Sequence, residues 1–141
     1  MFSCVSPFVL GRARWAAWWF MVVFAGPAAA VTVTAAEQMQ AYAANAGQGA
    51  DAARGQAFFT SKHGRDWSCA SCHTARPVVE GKHVVTGKAI APMAPAFNSE
   101  RFTDAGKTEK WFRRNCNDVV GRECTAGEKA DFLAFLLSLK S

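Results

Sequence analysis

The chain has 141 residues and a formal net charge of +5, with 16 lysines and arginines against 11 aspartates and glutamates. This length allows one domain with a short appendage. Lysine and arginine form no long run, so the basic balance gives little support to a nucleic-acid partner, and we expect none.

The first segment has the pattern of a secretory signal peptide. Two arginines precede an apolar run over residues 15–25, and three alanines ending at Ala30 supply small residues for cleavage. The apolar run is too short to span the about 30 Å of hydrocarbon in a bilayer. We therefore predict cleavage after Ala30, with Ala36 as the alternative, and a mature protein that is periplasmic and does not span a membrane.

Four short helices are predicted in the rest of the chain, and no strand pattern competes with them. They cover residues 37–46, 52–62, 104–114 and 126–139. Thr125 and Glu128 form a capping box at the start of the last helix. Residues 63–103 lack a sustained period, and a loop of that length in a compact domain indicates that a cofactor organises it.

Four cysteines remain once Cys4 leaves with the signal peptide. They are Cys69, Cys72, Cys116 and Cys124. Unpaired thiols tend not to persist in an oxidising compartment. The four cysteines therefore form two disulfides, or they form one disulfide while the other two thiols are covalently bonded to another group.

Cys69, Cys72 and His73 form the sequence C-x-x-C-H, the attachment signature of a c-type haem. Two thiols three residues apart on one turn reach the two vinyl groups of a haem, and the adjacent imidazole then faces the iron. A redox C-x-x-C of the thioredoxin kind needs alternating strands and helices, and a zinc site needs a second ligand pair of similar spacing. Neither pattern is present, so we predict one covalent haem c with His73 as an axial iron ligand.

The order of the elements resembles that of class I cytochromes c, in which the first and last helices of the domain cross at a small contact. The resemblance implies an all-α fold of about four short helices wrapped around one haem. Gly55 would allow the close approach of the helices, and phenylalanines would fill the contact. The candidates are Phe58, Phe59, Phe132 and Phe135. We place this domain at residues 51–141, after an N-terminal extension with its own helix at residues 31–50.

The patterns considered so far do not identify the second axial ligand of the iron. The candidates are Met93, His63, His83, an asparagine near Cys116, or no ligand at all. Met93 is flanked by prolines, as in many class I cytochromes c, but a whole predicted helix separates it from the last one. The two histidines lie in polar stretches, which favours a place on the surface.

The second half of the chain carries a sharper resemblance. The segments that carry it are 87–92, 101–104, 109–111, 114–117 and 121–131. They resemble the sphaeroides haem protein family of small, periplasmic, oxygen-binding cytochromes c with one haem. The resemblance runs from about residue 50 to the C-terminus.

This resemblance implies a distal ligand, a disulfide and a redox partner. In the family, an asparagine directly before the first cysteine of a short disulfide loop binds the iron, which corresponds here to Asn115 and a Cys116–Cys124 bond. The family has an apolar residue and no ligand at the position of Met93. A methionine there departs from the family pattern, and Met93 is kept as the alternative distal ligand for that reason. A dihaem cytochrome c is the electron donor that the resemblance implies. A helix C-cap is the other interpretation of Asn115.

Two functions follow from the two distal ligands. A neutral amide oxygen is a hard, weak donor that suits ferric iron better than ferrous iron, so reduction would release Asn115 and open a site for O₂, NO or CO. A methionine would hold both oxidation states, and the protein would be a His73/Met93 electron carrier. Catalysis is a distant third reading, limited to slow reduction of oxygen or peroxide.

Overall fold

The structure is a computed structural model that describes residues 32–140. The predicted signal peptide lies outside the described residues. Five α-helices are described: α1 (Ala35–Ala46), α2 (Ala52–Thr60), α3 (Cys69–His73), α4 (Ala105–Asn115) and α5 (Ala126–Ser138). A π-helical turn (Cys116–Val120) continues α4, and β1 (Gly81–Lys82) pairs antiparallel with β2 (Ala89–Ile90).

The predicted all-α fold is confirmed, and the four predicted helices are α1, α2, α4 and α5. The capping box at the start of α5 is present: the Glu128 amide donates to the Thr125 hydroxyl at 3.2 Å, and the Thr125 amide donates to the Glu128 carboxylate at 2.8 Å. Thr34 and Glu37 form a second capping box. This pair begins α1 two residues before the predicted start, because it satisfies amides that would otherwise lack acceptors.

The expectation of an irregular loop without strands over residues 63–103 is wrong in part. The loop contains α3 and a small hairpin whose strands are only two residues each, too short to give a period in the sequence. The turn of the hairpin depends on Gly87, which adopts φ +67° and donates its amide to the His83 carbonyl at 2.8 Å. The rest of the loop is irregular, as expected.

The core forms where α2 crosses α5. A Cβ atom built on Gly55 would lie 1.9 Å from the Asp131 carbonyl oxygen, so only glycine permits this approach. One turn later Phe59 is fully buried, with its ring centroid 5.8 Å from that of Phe132 and 5.4 Å from that of Phe135. The predicted contact between these helices is therefore confirmed, and it uses Phe59.

An ion pair fixes the same crossing from its polar side. The Asp131 carboxylate is buried and accepts from Arg54 Nε at 2.7 Å and from Arg54 Nη2 at 2.8 Å. It also accepts from the Asp51 amide at 2.6 Å, at the start of α2. The pair therefore sets the register of α2 against α5.

Helix α1 packs against α5 and against the segment before α4. Gln38 is buried and donates from Nε2 to the Phe102 carbonyl at 2.6 Å, while Met39 and Tyr42 pack against the core. The division into an N-terminal extension and a domain that begins at residue 51 stays a prediction. Among residues 32–140, no helix has the length and apolar character needed to cross a bilayer.

Candidate haem site

The C-x-x-C-H sequence forms the single helical turn α3. Ser68 begins the turn, and its amide donates to the Ser71 hydroxyl at 3.0 Å. Within the turn, Cys69 and Cys72 are half-buried free thiols that form no disulfide with each other. One helical turn thus presents two available thiols and the adjacent imidazole of His73.

The His73 ring lies beside an aromatic side chain of the core. The ring is half-buried, and its centroid lies 6.4 Å from that of Phe59. Burial, together with the positive charge of Arg101, lowers the pKa of His73 to about 4. The imidazole is therefore neutral at pH 7, which is the form that binds a metal.

The thiol chemistry argues against a redox C-x-x-C. Burial raises the pKa of Cys69 to about 11, against a contrary effect of a backbone hydrogen bond. Cysteines that act in thiol–disulfide exchange have a lowered pKa, because the thiolate is the attacking species. The raised pKa of Cys69 therefore argues against an activated thiolate at this position.

The hairpin packs directly on the carboxyl end of α3. A Cβ atom built on Gly81 would lie 2.2 Å from the Cys72 carbonyl oxygen, so the backbone of β1 touches α3. The buried Pro77 accepts at its carbonyl from the amides of Met93 at 3.0 Å and Ala94 at 3.1 Å. The long loop is thereby folded back onto the C-x-x-C-H turn.

Asn115 is the last residue of α4, on a separate part of the fold. Its backbone is helical, with φ −69° and ψ −35°, and the chain continues into the π-helical turn, so the interpretation as a helix C-cap is wrong. The left-handed position falls instead on Gly121, at φ +81°. π-helical turns are frequent at functional sites, because they displace side chains from the regular helical spacing.

The side chain of Asn115 is available for a ligand. It is exposed and makes no hydrogen bond with the rest of residues 32–140. The neighbouring asparagine differs, because Asn117 donates from Nδ2 to the Arg113 carbonyl at 2.7 Å. Of the two asparagines beside Cys116, Asn115 is thus the one with a free amide.

A disulfide between Cys116 and Cys124 anchors the segment after Asn115. Their Cα atoms are 5.7 Å apart, and both cysteines are buried in the core. The Gly121 amide donates to the Cys116 carbonyl at 3.0 Å and closes the turn between them. The disulfide therefore restrains the residue adjacent to Asn115.

A polar network that the sequence analysis missed holds α4 in place. The Glu109 carboxylate on α4 accepts from the Tyr42 hydroxyl at 2.8 Å and from Lys129 Nζ at 2.5 Å. Lys129 Nζ also lies 5.8 Å from the ring centroid of Phe112, which packs edge-on against Phe132. No sequence signal could reveal this network, because its members lie 20 and 67 residues from Glu109.

The two other histidines are engaged in local structure. His63 Nε2 bonds to the Phe58 carbonyl at 2.7 Å, and His83 Nδ1 accepts from the amides of Val85 and Thr86. Met93 differs, because it is half-buried and packs against the apolar core. The expectation that His63 and His83 lie on the surface holds for His83, whereas His63 is half-buried.

The described chain exposes apolar side chains that are compatible with a haem. Six large apolar side chains are more than one-third exposed: Trp67, Val79, Val84, Val85, Phe97 and Trp111. A flat apolar macrocycle attached at α3 would cover surface of this kind. Within residues 32–140 no three His, Cys, Asp or Glu side chains are grouped to hold a metal ion.

We expect loss of the Cys116–Cys124 bond to destabilise the protein without removing its haem. Closing a loop with a separation of 8 residues lowers the entropy of the unfolded chain, so replacing both cysteines by serine should cost about 2.5 kcal/mol of unfolding free energy. Denaturant titration of the purified protein measures this loss. Equal midpoints for the variant and the wild type would contradict the expectation.

Comparison with known proteins identifies relatives of this chain. Residues 45–136 match a family described as a domain of unknown function, DUF1924. The cytochrome c-type protein SHP of Cereibacter sphaeroides is 49% identical over 118 residues, which cover 81% of this chain and 91% of that protein. Cytochrome c'' of Methylophilus methylotrophus is 48% identical over 88 residues, covering 60% of this chain and 61% of that protein.

Solved structures share the fold. Oxidized SHP, described as an oxygen binding cytochrome c, has a TM-score of 0.72 at 46% identity and covers 77% of this chain and 99% of its own. The crystal structure of oxidized cytochrome c'' from Methylophilus methylotrophus has a TM-score of 0.69 at 38% identity, covering 76% and 95%. A solution structure of that cytochrome, concerned with the structural basis of haem-ligand detachment, has a TM-score of 0.68 at 38% identity, covering 76% and 94%.

Proposed function

The chain belongs to the SHP family of c-type cytochromes and carries one haem c, and from this premise we propose that it binds diatomic gases when its haem iron is reduced. The ligands are O₂, NO and CO. The observation that carries the proposal is the free amide of Asn115 at the end of α4. The description of the related SHP structure as an oxygen binding cytochrome c supports it.

The residues of α3 hold the cofactor. Cys69 and Cys72 supply the two thiols for covalent attachment, and the neutral imidazole of His73 supplies the proximal ligand. When bound, the haem supplies an iron that exchanges electrons and binds small gases. The Phe59 ring lies near the His73 ring, with their centroids 6.4 Å apart.

Asn115 would hold the ferric iron through its amide oxygen and would release it on reduction. An amide oxygen is a hard and weak donor, so its affinity falls as the iron loses charge. The disulfide at the next residue restrains the backbone, while the exposed side chain has no competing hydrogen bond to break. A relative studied for haem-ligand detachment supports a ligand exchange of this kind.

The proposal includes an electron donor and a compartment. Four basic residues lie exposed on α4: Lys107, Lys110, Arg113 and Arg114. A basic surface of this kind steers an acidic partner, so a dihaem cytochrome c with an acidic docking face would deliver electrons here. The pattern of a signal peptide in the first thirty residues supports a periplasmic location.

The second candidate function is electron transfer with His73 and Met93 as the two ligands. The half-buried thioether of Met93 favours it, because a sulfur already sheltered from water needs little further desolvation. The two candidates differ in the reduced spectrum. Release of Asn115 gives a high-spin ferrous band that shifts with CO, whereas methionine ligation gives a sharp low-spin band that does not respond.

We expect Asn115→Ala to change the ferric spectrum and to leave CO binding by the ferrous protein within about a factor of three of the wild type. The reason is that Asn115 binds only the ferric iron. Absorption spectra of both oxidation states and a CO titration measure these effects. Asn117→Ala is the matched control, since that amide is bonded to Arg113, and it should alter neither state.

Met93→Leu separates the two candidate functions. The substitution preserves the volume of the side chain and removes its sulfur, so under the proposal it alters neither spectrum. If it converts a low-spin ferrous haem to a high-spin one, the iron is ligated by methionine and the assignment of Asn115 is wrong.

A further inference from the structure

Helix α4, which ends at Asn115, has a small apolar contact with the rest of the fold. Within this helix only Thr108 and Phe112 are buried. The Thr108 hydroxyl donates to the Asp104 carbonyl at 2.8 Å, at the start of the same helix. Phe112 is therefore the one side chain of α4 that belongs to the apolar core. A helix with so small a contact depends on other attachments for its position.

The N-terminal segment supplies two attachments just before α4 begins. The Gln38 side chain of α1 donates to the Phe102 carbonyl at 2.6 Å, and the Val33 amide donates to the Thr103 carbonyl at 3.2 Å. Phe102 adopts φ +59°, a backbone conformation that is costly for an aromatic residue and persists where the surrounding contacts compensate for it. The path of the chain into α4 is thus tied to α1.

A charged junction of three helices is the third attachment. The Glu109 carboxylate of α4 accepts from the Tyr42 hydroxyl of α1 and from Lys129 Nζ of α5. Only 13% of the Lys129 side chain is exposed, and Nζ lies 5.4 Å from the ring centroid of Tyr42. Shelter from water strengthens the attraction between Lys129 and Glu109, although the carboxylate itself is half exposed. Burial and the neighbouring carboxylate raise the pKa of Tyr42 well above its usual range, so its hydroxyl stays a donor.

This junction and the disulfide lie on either side of Asn115. Asn115 follows Glu109 by six residues, which is about 9 Å along the axis of a helix. The disulfide begins at the next residue, Cys116. The backbone of Asn115 is therefore held at two points, and one of them depends on side chains of α1 and α5.

We propose that Tyr42 and Lys129 are positioning residues for the distal ligand, because through Glu109 they hold α4 where Asn115 reaches the ferric iron. This inference rests on the proposed function of Asn115. Helix α1, which lies before the predicted cytochrome domain, is then part of the arrangement that sets the distal ligand. Because Asn115 binds only the ferric iron, the junction acts on the ferric state and leaves gas binding by the ferrous state unchanged.

The test compares purified holoproteins carrying Tyr42→Phe or Lys129→Met with the wild type in both oxidation states. Tyr42→Phe removes only the hydroxyl, and Lys129→Met removes the charge while keeping an apolar stem. We expect each to lower the ratio of six-coordinate to five-coordinate ferric haem about three- to tenfold, which corresponds to the net free energy of one hydrogen bond. Absorption and electron paramagnetic resonance spectra measure this ratio. CO affinity of the ferrous protein should stay within about twofold of the wild type.

Lys140→Met is the matched control for Lys129→Met. Lys140 is exposed, lies beyond the end of α5 and forms no ion pair within residues 32–140. It removes the same charge, so an equal change in the ferric ratio would contradict a specific role of Lys129. Glu109→Gln should repeat the effect of Tyr42→Phe, and the two together should change the ratio by less than the product of the single changes.

Hydrogen exchange of the folded holoprotein separates positioning from a general loss of stability. Under the proposal the backbone amides of α4 exchange faster in Tyr42→Phe, while those of α2 exchange as in the wild type. Equal acceleration in both helices with an unchanged ferric ratio would make the junction a general contribution to stability and would overturn the inference.

Asn115→Ala separates a failure of this inference from a failure of the proposed function. If Asn115→Ala changes the ferric spectrum while Tyr42→Phe and Lys129→Met do not, Asn115 stands as the ligand and the junction does not position it. If Asn115→Ala leaves the ferric spectrum as in the wild type, Asn115 is not the ligand and both the proposed function and this inference are wrong.

Discussion

Replacing Cys69 and Cys72 together by serine is expected to abolish the accumulation of haem-containing protein. The two thiols lie on one helical turn, half-buried and free, and a serine hydroxyl does not form the thioether bond to a haem vinyl group. The neutral imidazole of His73 would be left as the only strong attachment. Haem staining of the expressed protein, normalised to the amount of polypeptide, measures the loss, and each single substitution should give a partial loss.

The variant Cys116→Ser with Cys124→Ser is the matched control for this experiment. It also removes two cysteines, but these form the disulfide and not the attachment, so haem staining should persist. A normal yield of haem-stained protein from the Cys69 and Cys72 double variant would contradict covalent attachment at α3.

Gly55→Ala is expected to lower the free energy of unfolding of the holoprotein by about 3 kcal/mol, at the upper end of the usual cost of overpacking. The new Cβ would lie 1.9 Å from the Asp131 carbonyl oxygen and 2.4 Å from its carbonyl carbon. These are backbone atoms of α5, and Arg54 fixes the same residue through its side chain. The helices must therefore separate. Denaturant titration followed by far-ultraviolet circular dichroism measures the effect.

Gly49→Ala serves as the control for Gly55→Ala. No atom lies within 4 Å of a Cβ built on Gly49, and its backbone does not need a positive φ. Its effect on the free energy of unfolding should stay within about 0.5 kcal/mol. Equal stabilities of the two variants would show that α2 and α5 can move apart at a lower cost in free energy than their contact geometry indicates.

The α2–α5 contact also bears on the haem site. Phe59 lies one turn after Gly55, between the aromatic rings of α5 and the ring of His73. Separation of the two helices would therefore loosen the support behind the proximal imidazole. We expect the haem spectrum of Gly55→Ala to change together with its stability, because Phe59 contributes both to the α2–α5 contact and to the packing of His73.

Much of the fold could be predicted from the sequence because its signals are local. A helix with a polar cap, such as the one that Thr125 and Glu128 begin, is encoded within four residues. The spacing of Cys69, Cys72 and His73 is likewise a property of one turn, so the motif alone indicates the cofactor and the proximal ligand. The contact of Gly55 with α5 could be predicted only through the resemblance to class I cytochromes c.

Tertiary structure decided the features that depend on residues far apart in the sequence. The strands of the hairpin over residues 81–90 are too short to give a periodic pattern in the sequence. The close backbone contact of Gly81 with Cys72 fixes the hairpin against α3. The backbone of Asn115 is helical and the helix continues past it, so its side-chain amide does not cap the helix and stays free. A helix-cap pattern in the sequence does not reveal this. The polar network of Glu109 is visible only once Tyr42 and Lys129 are placed, because such contacts depend on distance in space and the sequence gives only order along the chain.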